Sequence, residues 1–271
     1  MQPLTTKNLT HVIHEKKNVL FAVLAVAVLF CSCTKQVTGP EGPAGPSYTG
    51  SITGFITLYD QYGVKLIGKN PSLKVSIDNT TKVCYADSIG LYSFAGLYTG
   101  SYTLSIADTA KSSPVFFGPS KVFNIALLTG QSNHDVKLAA IPGFNLTSAV
   151  AVDTALAALN YVKIRGLVSP DTKARELVIF VGSDSLVSSA PANYLLTYST
   201  AINANASKFS TNIAVTDLYD AGFVSGSKVY IMLYSAAVGF ASESEYEDLN
   251  TGKIVYNAIG TAPIWIKVTI P

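Results

Sequence analysis

From Tyr48 to about residue 140, apolar and polar residues alternate with a period of two: Leu73, Val75 and Ile77 interleave with Lys74, Ser76 and Asp78, and Tyr102, Leu104 and Ile106 with Ser101, Thr103 and Ser105. A period of two sends successive side chains to opposite faces, so these runs predict half-buried strands. Turn-forming groups separate them, at Asp60-Gln61-Tyr62-Gly63, Asp87-Ser88-Ile89-Gly90 and Tyr98-Thr99-Gly100, and predict hairpins. Cys84 falls in a strand-like run, Lys82 to Ala86. Short strands at Val115–Phe117, Val122–Leu127 and Asp135–Leu138 complete this domain. Ile141-Pro142-Gly143 is the predicted joint, dividing a domain at 48–140 from one at 141–271. The run Ala149 to Asn160 suits a helix through Val152, Leu156 and Leu159, or a strand and a loop through Val150-Ala151-Val152; the strand and loop are preferred. Clearer strands follow at Val162 to Val168, Leu177–Val181, Tyr194–Tyr198, Phe209–Val215, Val229–Ser235, Ile254–Ala258 and Ile264–Ile270. Seven or eight short strands, many ending at Gly, Asn, Asp or Pro, predict a second β-sandwich of immunoglobulin or fibronectin type.

The pieces of the first domain also come in a telling order. Gly54-Phe55-Ile56 is followed by the turn ending in Gly63, by Val75 and Ile77 on a strand, and by Ala86-Asp87 before Gly90-Leu91-Tyr92-Ser93-Phe94. Gly96-Leu97 and Gly100-Ser101-Tyr102-Thr103-Leu104 come last. This order resembles the carboxypeptidase regulatory-like domain, which implies a seven-stranded prealbumin-type sandwich. The chain departs from that pattern by lacking a proline before Leu66 and by inserting Gly68-Lys69-Asn70-Pro71. The expected fold class is therefore all-β, two tandem β-sandwiches.

The N-terminal pattern is of another kind. Twelve unbroken apolar residues, Val19 to Phe30, follow Lys16 and Lys17. A membrane span needs about 20 such residues, whereas a positive flank and a short apolar run describe a signal peptide, here 1–32. Phe30-Cys31-Ser32-Cys33 resembles the lipobox of bacterial lipoproteins, which implies that Cys33 is acylated and becomes the first mature residue. The same resemblance implies a membrane partner through the lipid and a place in the cell envelope, at the outer membrane of a Gram-negative bacterium. Residues 33–47 then form a tether, because three triplets, Gly39-Pro40-Glu41, Gly42-Pro43-Ala44 and Gly45-Pro46-Ser47, are too few for a triple helix. As extended polyproline-type chain, Thr34 to Ser47 would reach about 43 Å.

Composition narrows the function. The 271 residues carry 19 basic and 17 acidic side chains; three lysines and Glu15 precede Cys33, leaving sixteen of each sign. No basic field for nucleic acid is present. With Cys31 removed and Cys33 lipidated, Cys84 stands alone, no internal disulfide is available and the domains must be held by core burial. The remaining histidine, His134, supports neither a nucleophile with its base nor a zinc ligand set. No catalytic residues, metal or cofactor are assigned. In the run Ser242-Glu243-Ser244-Glu245-Tyr246-Glu247-Asp248, the carboxylates of Glu243, Glu245, Glu247 and Asp248 could close on calcium from a loop. With no glycine inside it, an edge strand or solvated face is preferred. Tyr59, Tyr62 and Tyr98 lie at or beside turns, where a ring with a hydroxyl can stack on a sugar or a partner chain. The expected function is non-catalytic binding of a glycan or an envelope protein; the alternative is a structural accessory of an outer-membrane complex.

Overall fold

Alternation becomes burial along the first strands. The computed structural model describes residues 49–67, 73–109, 116–152, 160–239 and 244–270. The signal peptide, Cys33, the tether and Glu243 lie outside the described residues. The first sandwich comprises β1 (Thr49–Tyr59), β2 (Leu73–Ile77), β3 (Val83–Tyr85), β4 (Leu91–Tyr98), β5 (Gly100–Asp108), β6 (Ser120–Leu127), β7 (Gly130–Asn133) and β8 (Val136–Ala139). One sheet runs β3-β2-β5-β6; the other has β1 between β4 on one side and β7 and β8 on the other. β7 pairs with Gly50 to Thr53 and β8 with Ile56 to Tyr59, both parallel to β1, so Gly130–Ala139 is in effect one strand broken at His134. Ile52, Ile56 and Leu58 of β1 meet Leu73, Val75 and Ile77 of β2 across a core that also takes in Tyr92, Phe94, Leu104 and Ile106. Cys84 packs against it, and burial pushes its thiol up. Gly90, at φ 91°, makes the tight turn that lets Tyr92 and Phe94 enter this core together.

The second sandwich comprises β9 (Leu146–Val152), β10 (Tyr161–Val168), β11 (Arg175–Gly182), β12 (Leu196–Ile202), β13 (Lys208–Ala214), the helix α1 (Val215–Asp220), β14 (Lys228–Ala236), β15 (Tyr246–Asp248), β16 (Lys253–Val255) and β17 (Ile264–Thr269). A three-stranded sheet, β13-β10-β9, faces a four-stranded one, β12-β11-β14-β17. The hairpin β15-β16 is inserted between β14 and β17 and lies outside both sheets. The unbroken run Leu177-Val178-Ile179-Phe180-Val181 is buried at every position, because both faces of β11 are covered: Leu177, Ile179 and Val181 enter the core between the sheets, while Val178 and Phe180 pack outward against Tyr194, Tyr234 and Tyr256.

Some expected boundaries shift. Val215 is the first residue of α1 and not the last of a strand; with Leu218, three positions on, it turns a buried stripe into the core. β12 starts at Leu196 and continues to Ile202, because Tyr194 leaves the strand line to donate its hydroxyl to the Ile254 carbonyl at 2.7 Å. β16 stops at Val255, beyond which Asn257 is buried and donates to the Ser244 carbonyl at 2.6 Å. The preferred strand at the start of Ala149–Asn160 is present as the end of β9; residues 153–159 lie outside the described ones.

Residues Tyr48–Pro271 cluster as one compact unit, so the two cores share a boundary. The Asp60–Gly63 turn of the first sandwich is built into the second. The Gln61 carbonyl accepts from Val238 N at 3.0 Å, and its side-chain oxygen from Gly143 N at 2.6 Å. Tyr62 donates its hydroxyl to Asp171 at 2.6 Å. Ala139, Ala237 and Ala258 pack together beside this turn, their small side chains letting the backbones approach.

Candidate functional site

The three tyrosines singled out by their turns do not form a surface. β1 and β4 are antiparallel with Thr49 opposite Tyr98, so Tyr98 and Tyr59 mark opposite ends of an eleven-residue strand, about 33 Å apart at the rise of a β-strand. Tyr98 is 66% exposed. Tyr59 is half-buried, and its carbonyl accepts from Ala140 N at 2.9 Å. Tyr62 stands between the sandwiches, its ring 4.4 Å from the Lys173 ammonium; burial, then the bond to Asp171, pushes its hydroxyl up.

The acidic run divides in the same way. Tyr246 to Asp248 form the edge strand β15, with Glu247 exposed on it. Asp248 closes the hairpin: its Oδ1 accepts from Asn250 N at 3.0 Å and from Thr251 N at 3.0 Å. The Thr251 backbone bond, ahead of the Thr251 hydroxyl and Asn250 N, holds its carboxyl below the ordinary range. Glu245 points elsewhere. Among the described residues, no three His, Cys, Asp or Glu side chains are grouped to hold a metal ion.

Glu245 enters a concavity of about 330 Å³ on the outward side of the four-stranded sheet, lined by Glu176, Thr197, Tyr198, Ser199, Gly239, Glu245 and Tyr256. Its parts come from separated stretches for identifiable reasons. In the sheet register Glu176 stands opposite Ala201 and Ala236, Val178 opposite Ser199, and Phe180 opposite Thr197, which puts Glu176, Ser199 and Thr197 on the outward face. Tyr256 reaches over that face from the inserted hairpin, its ring edge-on to Phe180 at 5.2 Å and its hydroxyl donating to Thr197 Oγ1 at 2.9 Å. Tyr198 closes the rim while its ring packs on the inner core and its hydroxyl donates to Asp217 at 3.0 Å. Gly239 N donates to Glu176 Oε2 at 3.0 Å.

The electrostatics follow from this crowding. Burial, then the Glu176 charge, pushes Glu245 up to about 7. Burial beside a second carboxylate disfavours the charged form, so Glu245 keeps its proton to a higher pH than a free carboxyl and can donate while it holds it. Tyr256 is also pushed up, first by burial. The pocket therefore offers two carboxyl groups, one of them able to donate as well as accept, with aliphatic hydroxyls and an aromatic wall. Farther along the same face Trp265, 49% exposed, lies 6.2 Å from Tyr230, with the Lys267 ammonium 5.3 Å from the Tyr230 ring.

Sequence reasoning named Glu245 for the wrong company and did not single out Glu176, Thr197 or Tyr256. Nothing in their spacing joins them; the one available signal was the continuous apolar run of β11, which announced that something must cover its outward face.

No family model matches the chain, and no curated protein matches its sequence. Among solved structures it is similar to a candidate carbohydrate binding protein from Bacteroides uniformis, with 19% identity over 81% of this chain and 99% of that one, at a TM-score of 0.29. It is similar to a DUF3823 family protein from Parabacteroides merdae, with 13% identity over 83% of this chain and 100% of that one, at a TM-score of 0.25. It is similar to a type II cohesin–X-dockerin complex from Acetivibrio cellulolyticus, with 16% identity over 34% of this chain and 58% of that one, at a TM-score of 0.27. Superpositions this loose carry no information about ligand or family; the fold itself is all-β, built of β-sandwiches.

Proposed function

We propose that this chain is a lipid-anchored envelope protein that binds a glycan without transforming it, at the pocket between the four-stranded sheet and the inserted hairpin. The observation that carries this reading is the pairing of Glu176 with a Glu245 pushed up to about 7 beside Thr197, Ser199 and Tyr256. Two carboxyl groups in one pocket, one of which keeps its proton toward neutrality, can accept from one sugar hydroxyl and donate to another, and an aromatic wall takes the C–H face of the ring. Neutral saccharides suit such a pocket better than anionic ones, because Glu176 repels a second negative charge. The first sandwich would serve as a carboxypeptidase regulatory-like spacer between the Cys33 anchor and the binding sandwich.

Calorimetric titration with a panel of neutral oligosaccharides tests the reading. At least one should bind, and Glu176→Gln and Tyr256→Phe should each weaken it by roughly tenfold, the scale of one lost hydrogen bond to a charged or buried group. Absence of binding across the panel, or binding indifferent to both variants, would sink it. For the anchor, Cys33→Ala should move the protein out of the membrane fraction of a bacterial host; membrane association that survives the change, with no acyl mass on the unaltered protein, counts against lipidation.

The accessory role is favoured by a different observation. Phe55, Ile67 and Ile89, 43%, 87% and 68% exposed, line a second concavity on the first sandwich, and exposed apolar surface of this kind suits a protein partner. Co-purification of the intact chain with an envelope protein, lost in Ile67→Asp and Ile89→Asp, would establish that reading.

A further inference from the structure

The three-stranded sheet of the second sandwich has one face in the inner core and the other open. The strand registers place Lys163, Arg165 and Leu167 of β10 on the open face, between Ser148 and Val150 of β9 and Lys208 and Ser210 of β13. No outward position of the three strands carries a carboxylate, and among the described residues none of these three cations is in an ion pair. The centre of the face is a shallow basin of about 550 Å³ lined by Arg165, Lys208, the two serines and the apolar side chains of Val150 and Leu167. In a chain whose formal net charge is only +2, three cations on one sheet face, with no ion-pair partner among the described residues, are a local concentration of charge.

We propose that this face docks an acidic polysaccharide through the carboxylates of its uronic acid units. Neighbouring strands lie about 4.8 Å apart and same-face residues about 6.7 Å apart along a strand, so Lys163 and Lys208 are each rooted within about 8 Å of Arg165 on a fixed sheet, and their flexible stems can adjust to a ligand. A polyuronate carries one carboxylate per sugar and meets such a set with successive units. The Arg165 guanidinium matches a carboxylate with two parallel hydrogen bonds. Ser148 and Ser210 match ring hydroxyls, and Leu167 and Val150 receive the C–H face of a sugar. A lipid surface is flat and would span the rim of the basin without filling it. A nucleic acid duplex would seek a longer basic track than three side chains provide. The face belongs to the opposite sheet from the Glu245 pocket, so the two sites stand or fall separately.

The test is fluorescence anisotropy of a labelled oligogalacturonate with the full chain purified in detergent, against a neutral malto-oligosaccharide of equal length, duplex DNA and phosphatidylglycerol vesicles. The expected result is binding that weakens as salt rises, falls about tenfold in Arg165→Gln and in Lys208→Gln, as for a lost charge-assisted bond, and is unchanged in Lys82→Gln, at an exposed cation of the first sandwich. Both changes are at exposed positions; should Arg165→Gln melt early, Lys208→Gln decides. Absence of salt-dependent binding, retention of full affinity in Lys208→Gln, or tighter binding to DNA or vesicles than to the oligogalacturonate would overturn the proposal.

Discussion

Glu245 shows how burial and one neighbouring charge turn a residue of a solvated-looking run into a titrating group. Its carboxyl sits at about 7 in the folded protein against an ordinary 4.5. Between those values the native state holds a proton that the unfolded chain has released, so stability falls as pH rises through that interval. The melting temperature should therefore be lower at pH 8 than at pH 5.5, and Glu245→Gln should flatten that slope; a slope unchanged in the variant would assign the titration elsewhere. Gly90 is held by its backbone conformation. At φ 91° a β-branched side chain is strained, so Gly90→Val should cost more than the half-exposed Lys74→Ala, by about 1–3 kcal/mol on denaturant unfolding.

β11 was legible as a strand because a run of five apolar residues, Leu177 to Val181, bounded by Glu176 and Gly182, suits burial on two sides. What covers its second face was not legible, since Tyr194, Tyr234 and Tyr256 come from three separate stretches. Phe180, edge-on to Tyr234 and Tyr256 at 5.4 and 5.2 Å, is the pin of that layer, and Phe180→Ala should lower unfolding free energy by about 3–5 kcal/mol. A cost near that of a surface change would show that the hairpin collapses into the gap. β7 was invisible for the opposite reason: Gly130-Gln131-Ser132-Asn133 has no apolar position to mark a period. It is held by its neighbour, with Gln131 donating to Thr53 Oγ1 at 2.7 Å and His134 N to the Thr53 carbonyl at 2.8 Å.

In the whole molecule, Ile141-Pro142-Gly143 lies between Ala140, which packs in the first core, and Phe144, which packs in the second. It is not a loose linker. Pro142 and Phe144 are buried, the Arg175 guanidinium lies 5.5 Å from the Phe144 ring, and Ile141 N donates to the Phe116 carbonyl at 2.9 Å. A side chain added at Gly118 would begin 1.9 Å from the Asn257 carbonyl oxygen, so backbones of the two sandwiches meet there directly. Gly118→Ala should destabilise the protein by about 1–3 kcal/mol through overpacking at this boundary. A fragment of residues 48–140 has its own core and should fold alone, melting below the intact chain because the surface under Gln61 and Tyr62 is uncovered. An unfolded fragment by circular dichroism, beside a folded intact chain, would make the two sandwiches one inseparable folding unit.

The class of fold and the inward face of most strands are local information, because a period of two and the chemistry of turns act over a few residues and need no distant partner. Turn residues at Asp60–Gly63 and Asp87–Gly90 and the alternation of β2 and β5 are facts of this local kind. Long-range packing settles which outward faces stay open. It set Glu245 beside Glu176 across an inserted hairpin, gathered Lys163, Arg165 and Lys208 from two strands that pair forty-odd residues apart, and spent Tyr62 on the boundary between the sandwiches. Strand pairing and the docking of one sheet on another join residues far apart in the chain, and no local period records which strand will lie beside which.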